Sequence, residues 1–228
     1  MIIQILSNLK EEGYLAKGRH PTVAPFFPCA NVAFRRRALQ EIGGFDPKCV
    51  TGEDCDISAR LSAADWELYT RREAIVSHKN PSGFRHLFSK WYGYGRYHPY
   101  VFAKHNERAF EIYLRLLRPL DGERYICCFY KRSPLEVVVF LTRFLMLHVA
   151  LFAMTVACLL GLTGASLVGL GLAAALAISY AWPDLRRWGL LLGSAYTAIR
   201  YVADLGVFIG AFIGGLQQKM LYLSATVD

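Results

Sequence analysis

Apolar positions are spread unevenly along the chain. Up to Leu135 they come in short groups broken by glycine, proline and charge, and beyond it they close into long stretches. From Phe144 to Leu162 only His148, Thr155 and Gly161 interrupt the run, and from Ala165 to Trp182 only serines and glycines do. Each stretch is close to the about 20 residues that a helix needs to cross a bilayer. The link Thr163-Gly164 is short, so the pattern predicts a helical hairpin, with a buried helical pair in a large soluble core as the competing reading. A third apolar stretch, Trp188 to Leu216, carries Arg200 and Asp204 one helical turn apart, a spacing that permits an ion pair. In it Gly206, Gly210 and Gly214 recur every fourth residue, a row that lets a neighbouring backbone approach closely; glycine-rich flexibility is the alternative. Two or three spans are therefore expected, at about 144–162, 165–182 and, as the third, 189–216.

The first part of the chain reads differently. An extended segment Phe26 to Phe34 precedes a helix Arg37 to Ile42, which Gly43-Gly44 stops by supplying a left-handed residue. Asp46-Pro47 reads as a turn. A second helix follows from Ile57 to Ala64, then short extended pieces at Trp66 to Tyr69 and Ala74 to His78. The expected organisation is a domain over 1–83, an amphipathic interfacial segment over 84–132, membrane helices over 133–216 and a tail over 217–228.

Composition sharpens this division. The chain has 228 residues, 54% of them hydrophobic, and a net charge of +8, enough for one modest globular unit beside a membrane segment. Lys131-Arg132 and Arg186-Arg187 flank the first two stretches while their link is uncharged, which places both outer ends in the cytoplasm. A multi-pass cell-membrane protein with its polar part cytoplasmic is the expected localisation. The six cysteines lack paired zinc spacing and read as reduced thiols. Between Phe84 and Leu120, basic residues alternate with aromatic ones, a mixture suited to a headgroup layer or to a solvated basic face over an aromatic core. Nucleic acid is not an expected partner, because no groove-reading motif accompanies the basic residues.

Candidate chemistry is concentrated in Thr51-Gly52-Glu53-Asp54-Cys55-Asp56, which brings three carboxylates to a loop-to-helix junction. A carboxylate placed there can act as a general base. The same residues also read as a helix N-cap with an acidic first turn, Thr51 and Asp54 having capping-box-like spacing.

Together with Asn31-Val32-Ala33-Phe34-Arg35-Arg36 and Gly43-Gly44-Phe45-Asp46, this segment resembles the acceptor half of family 2 glycosyltransferases. The resemblance implies an α/β fold, a partial nucleotide-diphospho-sugar transferase (GT-A-like) fold followed by transmembrane helices. It implies that Asp54 is the catalytic base and that Glu53 orients it or binds an acceptor hydroxyl. Asn31 would bind a sugar hydroxyl, and Asp56 would lie at a helix start beside the ligand. Arg35 would neutralise diphosphate, with a solvated helix start as the other reading.

The segment Phe88 to Arg96 looks like the aromatic, Arg-ended stretch of non-processive, exopolysaccharide-type members, which brings Trp91 and Arg96 into the binding set; the Gln-x-x-Arg-Trp signature of processive synthases is absent. His78 is a metal or diphosphate contact by resemblance and a structural histidine by the bland reading. Mg²⁺ or Mn²⁺ is implied by the family alone.

The implied partners are a nucleotide sugar, a lipid-linked or polysaccharide acceptor, the membrane, and a second chain carrying a nucleotide-binding half, since no Asp-x-Asp motif precedes Asn31. The expected enzyme is an inverting, non-processive transferase, working as a truncated or split chain. The alternative is a non-catalytic membrane subunit that presents an acceptor or scaffolds a glycan-assembly complex.

Overall fold

The computed structural model describes residues 13–14, 29–70, 74–77, 83–105, 109–114, 126–132 and 136–225. In chain order the elements are β1 (Gly13–Tyr14), α1 (Arg36–Glu41), α2 (Glu53–Ala63), β2 (Tyr69–Thr70), α3 (Phe84–His105), β3 (Ala109–Leu114), β4 (Ile126–Arg132), β5 (Val137–Leu141), α4 (Arg143–Leu159), α5 (Thr163–Gln217) and β6 (Leu221–Leu223).

Helix α1 ends where the sequence says it must. Gly43 and Gly44 both take positive φ, +77° and +73°, and the Gly44 amide donates to the Leu39 carbonyl at 2.8 Å. That satisfies a carbonyl which the helix end would otherwise leave open. Helix α2 starts four residues before the expected Ile57, so Glu53, Asp54 and Asp56 form its first turn rather than a preceding loop. Negative side chains are favoured beside the free amides of a helix start, which lets the helix extend back to them. Its N-cap is Gly52 at φ +82°, with no side-chain cap bond, and the capping-box reading of Thr51 is thereby overturned. Ile57 and Leu61 of α2 pack with Ala38, Leu68, Phe34, Leu39, Ile42 and Trp66 into one small core.

The extended pieces are shorter than expected. Residues 29–31 form a turn, 32–35 join no ladder, and 26–28 lie outside the described residues. Ala74–Ser77 has no regular structure, and Tyr69–Thr70 pairs antiparallel with Gly13–Tyr14. A second sheet has the order β4-β3-β5-β6, with β3 and β4 antiparallel and β3, β5 and β6 parallel. Val138 and Phe140 of β5 meet Phe102 of α3, Ala211 of α5, Met220 and Tyr222 in the central core.

The segment expected at a headgroup layer is, over Phe84–His105, a single helix. It lies along the second part of α5, and the glycine row makes the contact: a Cβ on Gly206 would come 2.9 Å from the Phe88 carbonyl oxygen, and on Gly214 2.8 Å from the Arg96 carbonyl carbon. The approach is mutual, since a Cβ on Gly95 would stand 2.8 Å from the Val207 Cα. Pro99, one turn after Gly95, is fully buried inside α3. Its ring opposes the carbonyl of the residue four positions back, and a residue without a side chain there eases the fit.

Helix α5 is the one described helix long and apolar enough, by length and composition, to cross a membrane; α4 is apolar but has 17 residues. Gly189, at φ 74° and ψ 178°, breaks α5 into arms of residues 163–188 and 190–217. The break folds the chain back. Asp184 and Arg200 would be about 24 Å apart in a straight helix at 1.5 Å per residue, yet they meet at 2.7 Å. Arg200 thus pairs between arms, with its guanidinium 4.1 Å from the Tyr180 ring centroid, and Asp204 accepts from the Tyr180 hydroxyl at 2.6 Å. The ion pair expected one turn along the helix is corrected by this fold-back, which puts a better-placed carboxylate opposite the guanidinium.

Candidate active site

The turn after α1, the first turn of α2 and the C-terminal half of α3 converge on the acidic segment. Asp46 holds the turn: its Oδ1 accepts from the Lys48 amide at 2.9 Å, and its Oδ2 accepts from the Tyr100 hydroxyl at 2.9 Å and from Lys104 Nζ at 2.6 Å. These bonds, Lys104 first, hold the Asp46 carboxyl well below the usual carboxylate range.

Asp56 is 1% exposed. Its Oδ2 accepts from Arg60 Nε and Nη2 at 2.9 and 2.7 Å, and its Oδ1 lies 2.8 Å from Lys104 Nζ and 2.7 Å from His105 Nε2. Burial alone would raise its pKa, but the bonds from Lys104, Arg60 and His105 outweigh burial and lower it. Arg60 donates from Nη1 to the Ile42 and Gly44 carbonyls at 2.8 and 2.7 Å, tying α2 to the glycine turn. Asp56 therefore stands in an ionic knot that occupies both of its oxygens and joins three segments of chain. Where the sequence suggested a ligand contact, the structure shows the Asp56 oxygens bonded to Arg60, Lys104 and His105.

Asp54 has the opposite setting. Its Oδ1 accepts from the Cys55 amide at 2.8 Å, and desolvation is the largest influence on it, so its pKa is raised, with Glu53 adding like-charge repulsion. Tyr94 of α3 is raised by burial and by the charges of Asp54 and Glu53, which brings its ring into the same neighbourhood. Cys29, in the turn before α1, is pushed up to about 11 by burial and then by the charges of Asp54 and Glu53. Cys49 is pushed up to about 12, and Cys55 well above its ordinary value, both chiefly by burial. These cysteines are free thiols, and burial disfavours the thiolate that a nucleophilic cysteine needs.

The other sequence candidates lie as follows. Asn31 is exposed and donates from Nδ2 to the Ala74 carbonyl at 2.7 Å, linking two irregular segments. Arg35 is exposed at the N-cap of α1 and makes no side-chain cap bond. Trp91 meets Tyr94 edge to face at 5.3 Å, with Lys90 5.6 Å from each ring centroid. Arg96 is exposed and its Nε reaches Gln217 Oε1 at 3.3 Å, bridging α3 to the end of α5. Tyr94 thus feels the charges of Asp54 and Glu53, whereas Trp91 and Arg96 lie against α5: a Cβ on Gly206 would come 3.3 Å from the Trp91 Cβ. His78 lies outside the described residues.

Among the described residues no group of three or more His, Cys, Asp or Glu side chains gathers as a metal site, and the Asp56 oxygens are taken by three basic side chains. Asp56 therefore offers no free oxygen to a cation, and, among the described residues, Glu53 and Asp54 are the carboxylates of the acidic segment not engaged by basic side chains.

Sequence reasoning missed Asp46, Tyr94, Tyr100, Lys104 and His105. The signal was available in α3: Tyr94, Tyr97, Val101, Lys104 and His105 recur at helical spacing on one face, and a Cβ on Gly52 would meet Val101 Cγ2 at 3.2 Å.

Against known proteins, neither a curated relative nor a solved structure matches the chain. The model of the glycosyl transferase family group 2 matches residues 15–182, which include the acidic segment, α3, α4 and most of the first arm of α5. Over that span, about three quarters of its length, the chain belongs to the family 2 glycosyltransferases, with the nucleotide-sugar transferase fold that membership implies.

Proposed function

We propose that this chain carries out the acceptor-side step of glycosyl transfer, moving a sugar from a nucleotide diphosphate to a hydroxyl on a lipid-linked or polysaccharide acceptor, with Asp54 as general base. Family membership supports transfer itself and a nucleotide-sugar donor. The observation that carries the assignment of Asp54 is the opposed setting of two carboxylates two residues apart. Burial raises Asp54, whereas a shell of cations lowers Asp56. Separated environments of this kind divide chemical roles: the lowered group is a fixed anion, and the raised group can take a proton.

In the proposed step Asp54 removes the proton of the acceptor hydroxyl as its oxygen bonds to the anomeric carbon. The bond from that carbon to the diphosphate oxygen breaks, and its electron pair leaves with the nucleoside diphosphate. One displacement of this kind inverts the anomeric centre. Glu53 orients the acceptor, and Trp91 with Tyr94 offers ring faces to a saccharide. Asn31 and Arg35 are proposed at the outer rim, where both are exposed.

The membrane part of the reading rests on apolar exposure. Phe152, Leu159, Leu160, Leu167, Val168, Leu190 and Leu191 are each more than two thirds exposed. A row of that size is costly in water and is satisfied by lipid. The fold-back at Gly189 is compatible with a multi-pass arrangement of α4 and the arms of α5, and the cationic flanks Lys131-Arg132 and Arg186-Arg187 are the ground for putting the carboxylates on the cytoplasmic side. The acceptor would then arrive at the membrane surface.

The test is transfer by membranes carrying the chain, assayed with labelled nucleotide sugars and separated into lipid-extractable and polymer fractions. A single added sugar per acceptor in the lipid fraction is expected. Hydrolysis or binding without transfer, with or without a second chain supplying nucleotide-binding residues, would leave the proposal without support.

A further inference from the structure

The acidic segment has a fixed point that belongs to neither α1 nor α2. Lys104 Nζ lies 2.6 Å from Asp46 Oδ2 and 2.8 Å from Asp56 Oδ1, so one ammonium group joins the turn after the glycine pair to the helix that carries Asp54. Its own helix is held elsewhere: α3 lies with its Phe88 to Arg96 backbone against Gly206, Gly210 and Gly214 of α5. A residue on a rigidly docked element is a better reference for a catalytic group than one on a loop.

From this geometry we infer that Lys104 is a positioning residue for glycosyl transfer, fixing the first turn of α2 through Asp56 and the preceding turn through Asp46 so that the Asp54 carboxylate keeps its attitude toward the acceptor. The inference rests on the assignment of Asp54 as base. Three features separate Lys104 from an ordinary surface lysine. Both of its acceptors are already anchored on other groups, Asp56 on Arg60 and His105, Asp46 on Tyr100 and the Lys48 amide. One of the two acceptors is 1% exposed, so loss of the ammonium leaves a buried oxygen with His105 alone. And Asp56 is two residues from Asp54 in one helical turn, so a rotation of that turn moves both carboxylates.

The step that Lys104 serves is proximity and orientation, where a misplacement of about 1 Å costs on the order of 10²-fold in rate. The expected signature is a fall in kcat with little change in the KM for nucleotide sugar, because Lys104 touches neither substrate. Arg at this position keeps the charge and can bridge both carboxylates.

The experiment measures transfer by Lys104→Met, Lys104→Arg, Asp46→Asn and Asp54→Asn, each purified in detergent with its melting temperature recorded. Support is a loss of about 10- to 100-fold in kcat for Lys104→Met, with KM changed less than about twofold, recovery of most of the rate in Lys104→Arg, and a smaller kcat loss in Asp46→Asn, which removes half of the bridge while Asp56 keeps its partners. A Lys104→Met enzyme with wild-type kcat overturns the inference, as does an Lys104→Arg enzyme no better than Lys104→Met. If Lys104→Met fails to fold, Asp46→Asn decides: unchanged kcat there overturns the bridge. An active Asp54→Asn enzyme instead overturns the base assignment, and an inactive one beside an unaffected Lys104→Met sinks the positioning role alone.

Discussion

Gly210 of the long apolar helix and Arg96 of α3 are so close that a Cβ on the glycine would stand 2.8 Å from the Arg96 backbone nitrogen, and nearer still to the Tyr92 carbonyl oxygen. Neither neighbour is a flexible side-chain end. The helix that carries Tyr94, Tyr100, Lys104 and His105 to the acidic segment is thereby fixed to α5, so backbone docking in one place sets side-chain geometry in another.

The first prediction follows from that contact. Gly210→Leu pushes α3 away from α5 and costs about 3 kcal/mol or more, the upper end for overpacking, since backbone has to move. Gly171, with nothing within 4 Å of an added Cβ, is the control, and Gly171→Ala is expected to be neutral or slightly stabilising. Thermal unfolding in detergent, followed by tryptophan fluorescence, checks both. Equal melting temperatures for Gly210→Leu and the native chain contradict the close-packed interface.

Asp56 predicts a pH dependence of stability. Its folded pKa is lowered below the unfolded value of about 3.9. Its stabilisation is therefore complete above that value and is lost as pH falls from there through the folded pKa. Asp56→Asn is expected to cost on the order of 2 kcal/mol at neutral pH, less than for a wholly buried pair because Arg60 and Lys104 can reach water. The difference between the two proteins should shrink as the pH falls below about 4. A difference that stays constant from pH 7 to 3 contradicts the ionic knot.

The fold-back at Gly189 predicts coupling between residues 16 apart. Asp184→Asn and Arg200→Gln each leave one group of a partly buried pair unmatched, and the double variant should cost less than the sum by about 0.5 to 3 kcal/mol. A double-mutant cycle on unfolding in detergent measures this. Strict additivity would mean that the arms do not meet at this pair.

What the sequence revealed was mostly local. Gly43-Gly44 signalled the end of α1 because a left-handed residue closes a helix without steric cost, and the period of the glycine row matched one helix side, which left close backbone approach open beside plain flexibility until α3 was seen against it. The three apolar stretches became α4 and the two arms of α5 with little shift of boundary. The start of α2 was misplaced because apolar periodicity begins only at Ile57, while the turn before it is built from charges.

The links through Lys104 were hidden for a different reason: they join Asp46 and Asp56 to a residue 58 and 48 positions away, and no local rule selects one lysine of a basic helix for two particular carboxylates. The Arg200 partner was wrong in the same manner, because its true carboxylate lies across a bend that one glycine creates.

The central claim is that Asp54 accepts the acceptor proton. Its raised pKa means that the active, ionised form is lost as pH falls through a value above the ordinary about 3.9 of an aspartate. Initial rates of sugar transfer across that acid limb, for the native chain and for Asp54→Asn at matched melting temperature, test it most directly. The account predicts a loss of about 10²-fold or more in kcat for Asp54→Asn and disappearance of the acid limb from its residual rate. Transfer by Asp54→Asn at the native rate, with the acid limb intact, would contradict it.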